Sequence, residues 1–248
     1  LWLTEGDVTK KIVFSGDVGN TNQPIIKDPA PVAETDYLVL ESTYGSRNHE
    51  RHTDTIEVLA ELIENTLSRG GNVVIPSFAI GRTQELLYAI REIKQRKLVK
   101  NMDFPVYVDS PLAIEATEIF SKCDPACFDD ETRKLIDDGI DPIRFDGLRL
   151  SVTVEDSKRI NETLEPKVIL SASGMCEAGR IRHHLKHNLW RPQNLILFVG
   201  YQAEGTLGRN LIEGVQNVRL FGEDIAVRAQ IKSLKGTSGH ADQQGLIS

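Results

Sequence analysis

Apolar residues along this chain fall into short unbroken runs and helical repeats, and the two alternate from about residue 56 to residue 199. Val73-Val74-Ile75, Val106-Tyr107-Val108, Lys167-Val168-Ile169-Leu170 and Leu195-Ile196-Leu197-Phe198-Val199 are too short for helices and rich in β-branched residues. Such runs predict strands buried on both faces. Between them, Ile56, Leu59, Ala60, Ile63 and Leu67 recur at helical spacing, behind Thr53 or Asp54 as a cap and ahead of Gly70-Gly71 as a stop. Leu86, Leu87, Ile90 and Ile93 predict a helix over Thr83 to Lys94. Ser110-Pro111 supplies the cap and first position of another, running to Phe120. Buried strands separated by helices imply an α/β domain with a mostly parallel sheet flanked by helices. Asp124 to Asp146, acidic with scattered apolar residues, reads as an excursion from that alternation.

Two more apolar strands lie upstream, and both run into acid. Lys11-Ile12-Val13-Phe14 leads into Ser15-Gly16-Asp17, and Tyr37-Leu38-Val39-Leu40 leads into Glu41-Ser42-Thr43-Tyr44-Gly45. A carboxylate at a strand end followed by turn residues is held at the rim of a sheet, where sites form. Either acid alone would serve equally well as a turn cap. Near the other end, after the strand-like Ile225 to Ile231, Thr237-Ser238-Gly239-His240-Ala241-Asp242 adds a histidine in a loop of small residues. Asp17, Glu41 and His240 then form a set.

With Pro76-Ser77-Phe78-Ala79-Ile80-Gly81-Arg82-Thr83-Gln84-Glu85-Leu86-Leu87 and Gly200-Tyr201-Gln202-Ala203-Glu204-Gly205-Thr206-Leu207, these motifs closely resemble the β-CASP subgroup of the metallo-β-lactamase superfamily, zinc-dependent nucleases, and its RNA-processing branch above all. The resemblance covers most of the chain. It implies a β-CASP domain at 47–232, with 1–46 and 233–248 as partial metallo-β-lactamase segments brought together around it. Asp17 resembles the aspartate bridging two zinc ions, and Glu41 and His240 resemble the pair in which the histidine protonates the leaving oxygen. The family's His-x-His-x-Asp-His cluster and two further metal-binding histidines have no counterpart in these 248 residues. The resemblance therefore implies an incomplete, inactive fragment of a ribonuclease, without a complete zinc centre of its own. Single-stranded RNA is the implied substrate, with a homodimer or processing-complex subunits as further partners. A catalytically inactive RNA-binding or scaffold subunit and a DNA-directed β-CASP nuclease are the alternatives.

Composition narrows the surroundings. A hydrophobic content of 40% supports a substantial core, and a net charge of −7 argues against a protein coated by a broad basic field. A local basic cleft remains compatible with RNA. The strip Arg180, Arg182, His183, His184, Lys186, His187 and Arg191 is the main candidate, as an RNA face or a solvated helix face. His183 and His187 at i, i+4 could also present two imidazoles, but without the glutamate of His-Glu-x-x-His. Ser171 to Met175 and Gly200 to Gly208 follow strands and lead towards helices. They suit phosphate seats or tight strand-to-helix packing, and the resemblance favours substrate contact for Ser173, Gly174, Gly205 and Thr206. Arg82 and Arg209 are further phosphate candidates. His49 and His52 read as rim residues. No apolar run approaches the roughly 20 residues of a membrane span, and Cys123, Cys127 and Cys176 are an odd set suited to reduced thiols. These features predict a cytoplasmic protein that does not enter membranes.

Overall fold

The structure, a computed structural model, describes residues 1–31, 34–49, 55–234 and 238–247. Three short strands open the chain: β1 (Trp2–Glu5), β2 (Val8–Phe14) and β3 (Tyr37–Val39). β2 pairs antiparallel with β1 and parallel with β3. The main body follows as α1 (Thr55–Leu67), β4 (Val73–Pro76), α2 (Arg82–Gln95), β5 (Val106–Val108), α3 (Pro111–Phe120), α4 (Asp130–Asp137), β6 (Leu148–Leu150) and α5 (Val154–Glu162). It continues through β7 (Val168–Ser171), α6 (Ile181–Asn188), β8 (Leu195–Phe198), α7 (Leu207–Ile212), β9 (Asn217–Leu220), β10 (Glu223–Ala226), β11 (Gln230–Ser233) and α8 (Gln243–Ile247).

Six of these strands form one sheet in the order β11-β8-β4-β7-β5-β6, and every pairing in it is parallel. The predicted α/β architecture holds, for a reason visible in single strands. Val73 and Ile75 face one core with Leu59 and Ile63 of α1 and Leu87 and Ile90 of α2. Val74, between them, faces the other with Ile181 and Leu185 of α6 and Leu211 of α7. Because side chains alternate along a strand, a sheet covered by helices on both faces needs apolar residues at every position.

The boundaries follow local chemistry. Ser110 caps α3 by accepting from the Ala113 N–H at 3.3 Å. The cap expected for α1 at Thr53 or Asp54 lies outside the described residues. Gly70, at φ +77, ends that helix, and its N–H donates to the Leu67 carbonyl. At Gly71 a Cβ would stand 1.9 Å from the Gln193 carbonyl oxygen, a backbone contact that cannot yield. Gly71→Ala is therefore expected to destabilise the protein by about 1–3 kcal/mol. Urea unfolding that leaves the midpoint unchanged would contradict this.

Two expectations need revision. The stretch Ile225 to Ile231 is two strands in different sheets: β10 forms an antiparallel hairpin with β9, whereas β11 joins the main sheet beside β8. The acidic excursion at Asp124 to Asp146 holds α4, capped by Asp129, and is anchored by buried Phe128 and Ile143. It also receives the N-terminal segment. Ile25 is buried against this region, and its carbonyl accepts from the Asp129 N–H at 3.0 Å.

Candidate active site

The ends of β2 and β3 are fastened together before either acid is reached. The Ser15 N–H donates to the Val39 carbonyl at 2.9 Å, and the Ser15 hydroxyl accepts from the Glu41 N–H at 3.1 Å. This fixes Asp17 and Glu41 side by side. His240 arrives from the far end of the chain through paired backbone: Gly19 bridges His240, Asn20 donates to the Gly239 carbonyl and Ala241 to that of Val18. One donor atom each from Asp17, Glu41 and His240 then lies within 4.8 Å of the others, and no other such group of three occurs among the described residues.

Within the cluster, Glu41 and His240 are committed to one another. His240 Nδ1 lies 3.1 Å from Glu41 Oε2 and 3.3 Å from Oε1, so a carboxylate there selects the tautomer protonated on Nδ1. Glu41 also accepts from the Thr43 hydroxyl at 2.6 Å and from the Val18 N–H. Burial pushes the Glu41 carboxyl up, but these donors and the neighbouring imidazole outweigh it and hold the group below its ordinary value. Zinc takes about four donors. Asp17 is exposed and fits as one carboxylate ligand, whereas Glu41 is already occupied by three donors. The imidazole and carboxylate chemistry suits zinc, but the described residues provide only part of a donor set.

Some supporting residues escaped the sequence reading. Thr43, two positions after Glu41, holds its carboxylate. His49, expected at the rim, donates through Nε2 to the His240 carbonyl at 2.8 Å, and its N–H donates to Asp242 at 3.0 Å. Its ring meets Tyr44 edge-on at 4.6 Å. The signal available was proximity to the Glu41 motif. His52 lies outside the described residues.

The predicted substrate positions sit on the loops after the parallel strands, but each arginine among them has a protein partner. Arg82, at the start of α2, pairs with Glu85, and Arg209 pairs with Glu213 at 2.6 Å. Arg180 donates to Asp109 at 2.8 Å and to the carbonyls of Ser151 and Val152. Thr206 caps α7, accepting from the Arg209 N–H and donating to the Ala203 carbonyl. The Ser173 hydroxyl meets Ala178 backbone atoms at 3.4 Å. Gly174 lies against Phe78, whose ring would be 3.2 Å from an added Cβ, and Gly205, at φ +81, has open space around it.

Nor is the basic strip a uniform solvated face. His184 is fully buried, its Nε2 2.6 Å from Asp109, which also accepts from the Ser157 hydroxyl at 2.6 Å. Burial raises the Asp109 carboxyl, yet the bonds from His184 and Ser157 overcome it and bring the group down to about 2. Lys186 pairs with Glu223 at 2.6 Å. His183 stacks on Phe221, and burial with adjoining positive groups lowers both His183 and His187.

Residues 83–211, more than half of the chain, match the model of the Beta-Casp domain. The chain belongs to the β-CASP family of the metallo-β-lactamase superfamily. Residues 224–248 match the Zn-dependent metallo-hydrolase RNA specificity domain, which reaches across His240. The chain is 38% identical over 238 residues to ribonuclease TTHA0252 of Thermus thermophilus, covering 96% of this chain and 54% of that protein. It is 34% identical to an RNase J-like protein of Methanocaldococcus jannaschii, covering 96% and 54%. With transcription termination factor FttA of Methanosarcina mazei it shares 32% identity, covering 98% and 39%. The chain thus spans about half the length, or less, of these relatives.

Proposed function

We propose that this β-CASP chain carries the proton-transfer half of a zinc-dependent ribonuclease centre acting on single-stranded RNA. The observation behind this reading is the Glu41–His240 pair fixed within 4.8 Å of Asp17. Glu41 holds Nδ1 and leaves Nε2 to deliver a proton to the leaving oxygen of the cleaved strand. An ionised Glu41 also stabilises the imidazolium before transfer and retains the neutral ring in the same tautomer afterwards. Asp17 would serve as a ligand to zinc, two ions being implied, and the bound metal would supply Lewis acidity to water and phosphate. Segments 1–46 and 233–248 are assigned to one metallo-β-lactamase lobe and 47–232 to the β-CASP domain. The backbone bridges Gly19–His240 and Tyr44–Asp242 support that grouping. Among the described residues no helix is long and apolar enough to cross a membrane, and three free cysteines suit a reducing cytoplasm.

The test uses the whole protein and a labelled single-stranded RNA, with DNA of the same sequence as control. Cleavage of RNA should stop on chelation and return with zinc. Preferential cleavage of the DNA would replace this reading by the DNA-directed one, and RNA binding without cleavage in the zinc-loaded protein would favour the scaffold.

A further inference from the structure

An open cavity of about 690 Å³ lies between the start of α6 and the turn joining β9 to β10, and none of Asp17, Glu41 or His240 lines it. Its charge is strongly one-sided. Arg180, Arg182 and Arg219 contribute guanidinium groups, against a single acid, Glu177. That carboxylate is engaged, accepting from the Leu207 N–H at 2.5 Å. Arg180 is balanced by Asp109, but Arg219 is exposed on β9 and makes no ion pair among the described residues, although Asp224 is its cross-strand neighbour. Arg182 donates through Nη1 to the Glu177 carbonyl, while its Nε is buried with no hydrogen-bond partner. A buried guanidinium N–H without an acceptor is costly unless a ligand supplies one.

The other wall is aromatic. Phe221 is 49% exposed and sits at φ +52 in a two-residue turn with Gly222, a place where Asn or Gly is at home. A bulky side chain kept in that conformation points to a use for the ring. The His183 ring stacks on it with centroids 4.3 Å apart and planes 20° from parallel, and the Arg182 guanidinium lies 5.6 Å from its centroid.

Guanidinium groups beside a stacked aromatic tier are what a nucleoside phosphate requires: cations for the phosphate and a flat surface for the base. We propose that this cavity binds one nucleotide unit of single-stranded RNA, its phosphate on Arg182 and Arg219 and its base against the His183–Phe221 stack. This rests on the ribonuclease reading for the nature of the polymer. The chemistry is shared by a free nucleotide, so both sources enter the test.

Binding of a fluorescent eight-residue uridine RNA is measured by anisotropy at several salt concentrations, with uridine monophosphate as competitor. Arg219→Glu should weaken RNA binding roughly tenfold and reduce the salt dependence by about one counterion. Phe221→Ala should weaken it by a similar factor with little change in salt dependence. Arg133→Ala, removing an exposed arginine on α4, should change neither. Competition by the monophosphate that disappears in Arg219→Glu would extend the site to free nucleotides; absence of competition would restrict it to a strand. Wild-type affinity and slope in Arg219→Glu, or no binding of either probe, would overturn the proposal. Cleavage is followed in parallel. Intact cleavage with an unaffected Arg219→Glu removes the cavity alone, whereas weakened binding with no cleavage by wild type removes the ribonuclease reading alone.

Discussion

Asp17→Ala in the whole protein should abolish RNA cleavage and lower zinc content, while His240→Ala should slow cleavage by roughly 10²- to 10⁴-fold and retain most of the metal. The two side chains are neighbours, but their bonding differs. Asp17 is exposed and lies beside Glu41 and His240, so on the proposed reading its loss removes a ligand. His240 is held by Glu41 through Nδ1, so on the proposed reading its loss removes a proton donor and leaves the metal ligands in place. Glu41→Gln should fall on the His240 side of this division, because an amide no longer stabilises the imidazolium. Zinc analysis beside single-turnover rates separates the roles. Equal loss of zinc in the Asp17 and His240 variants would show that the histidine is chiefly a ligand.

A large effect on stability is expected far from that cluster, at Asp109. Asp109→Asn leaves Arg180 and buried His184 facing a neutral amide, and breaking a buried pair in this way costs about 3–5 kcal/mol. The wild-type protein should also show the pH signature of this group. Its folded value of about 2 lies below the ordinary 3.8, so the stabilisation is present in full above about pH 4 and is lost as pH falls towards 2. The difference corresponds to roughly 2 kcal/mol. Urea unfolding of both proteins across that range provides the check. A gap between wild type and Asp109→Asn that widens on acidification would contradict the assignment.

The central sheet was legible because its strands are apolar on both faces. Val73 to Ile75 and Leu195 to Phe198 admit few other readings once helical repeats lie between them. The Ile225 to Ile231 stretch was harder, since short apolar segments do not reveal which strand they will pair with. The turn at Phe221-Gly222 draws β10 into a hairpin with β9, and the stretch divides downstream, between Ala226 and Gln230. The acid–histidine cluster was readable from three motifs at strand ends. The environment of Arg180 was not, because its partner Asp109 is 71 residues away and a row of basic residues gives no sign of it. Thr43 and His49 were obscured for the opposite reason: they lie so close to Glu41 that their hydrogen bonds pass for ordinary turn chemistry.

Glu41 and His240 are separated by 199 positions, with the whole parallel sheet between them. Bringing together ends so far apart costs about 2–3 kcal/mol more in chain entropy than closing a loop of about ten residues. A hydrogen bond contributes too little to meet that cost alone. The folded α/β body meets it, by delivering the chain back to where it departed. Formation of the pair is therefore tied to the fold as a whole: destabilising the sheet at Asp109 or Gly71 also weakens what holds Glu41 to His240, and during synthesis the pair can close only after α1 to β11 have emerged.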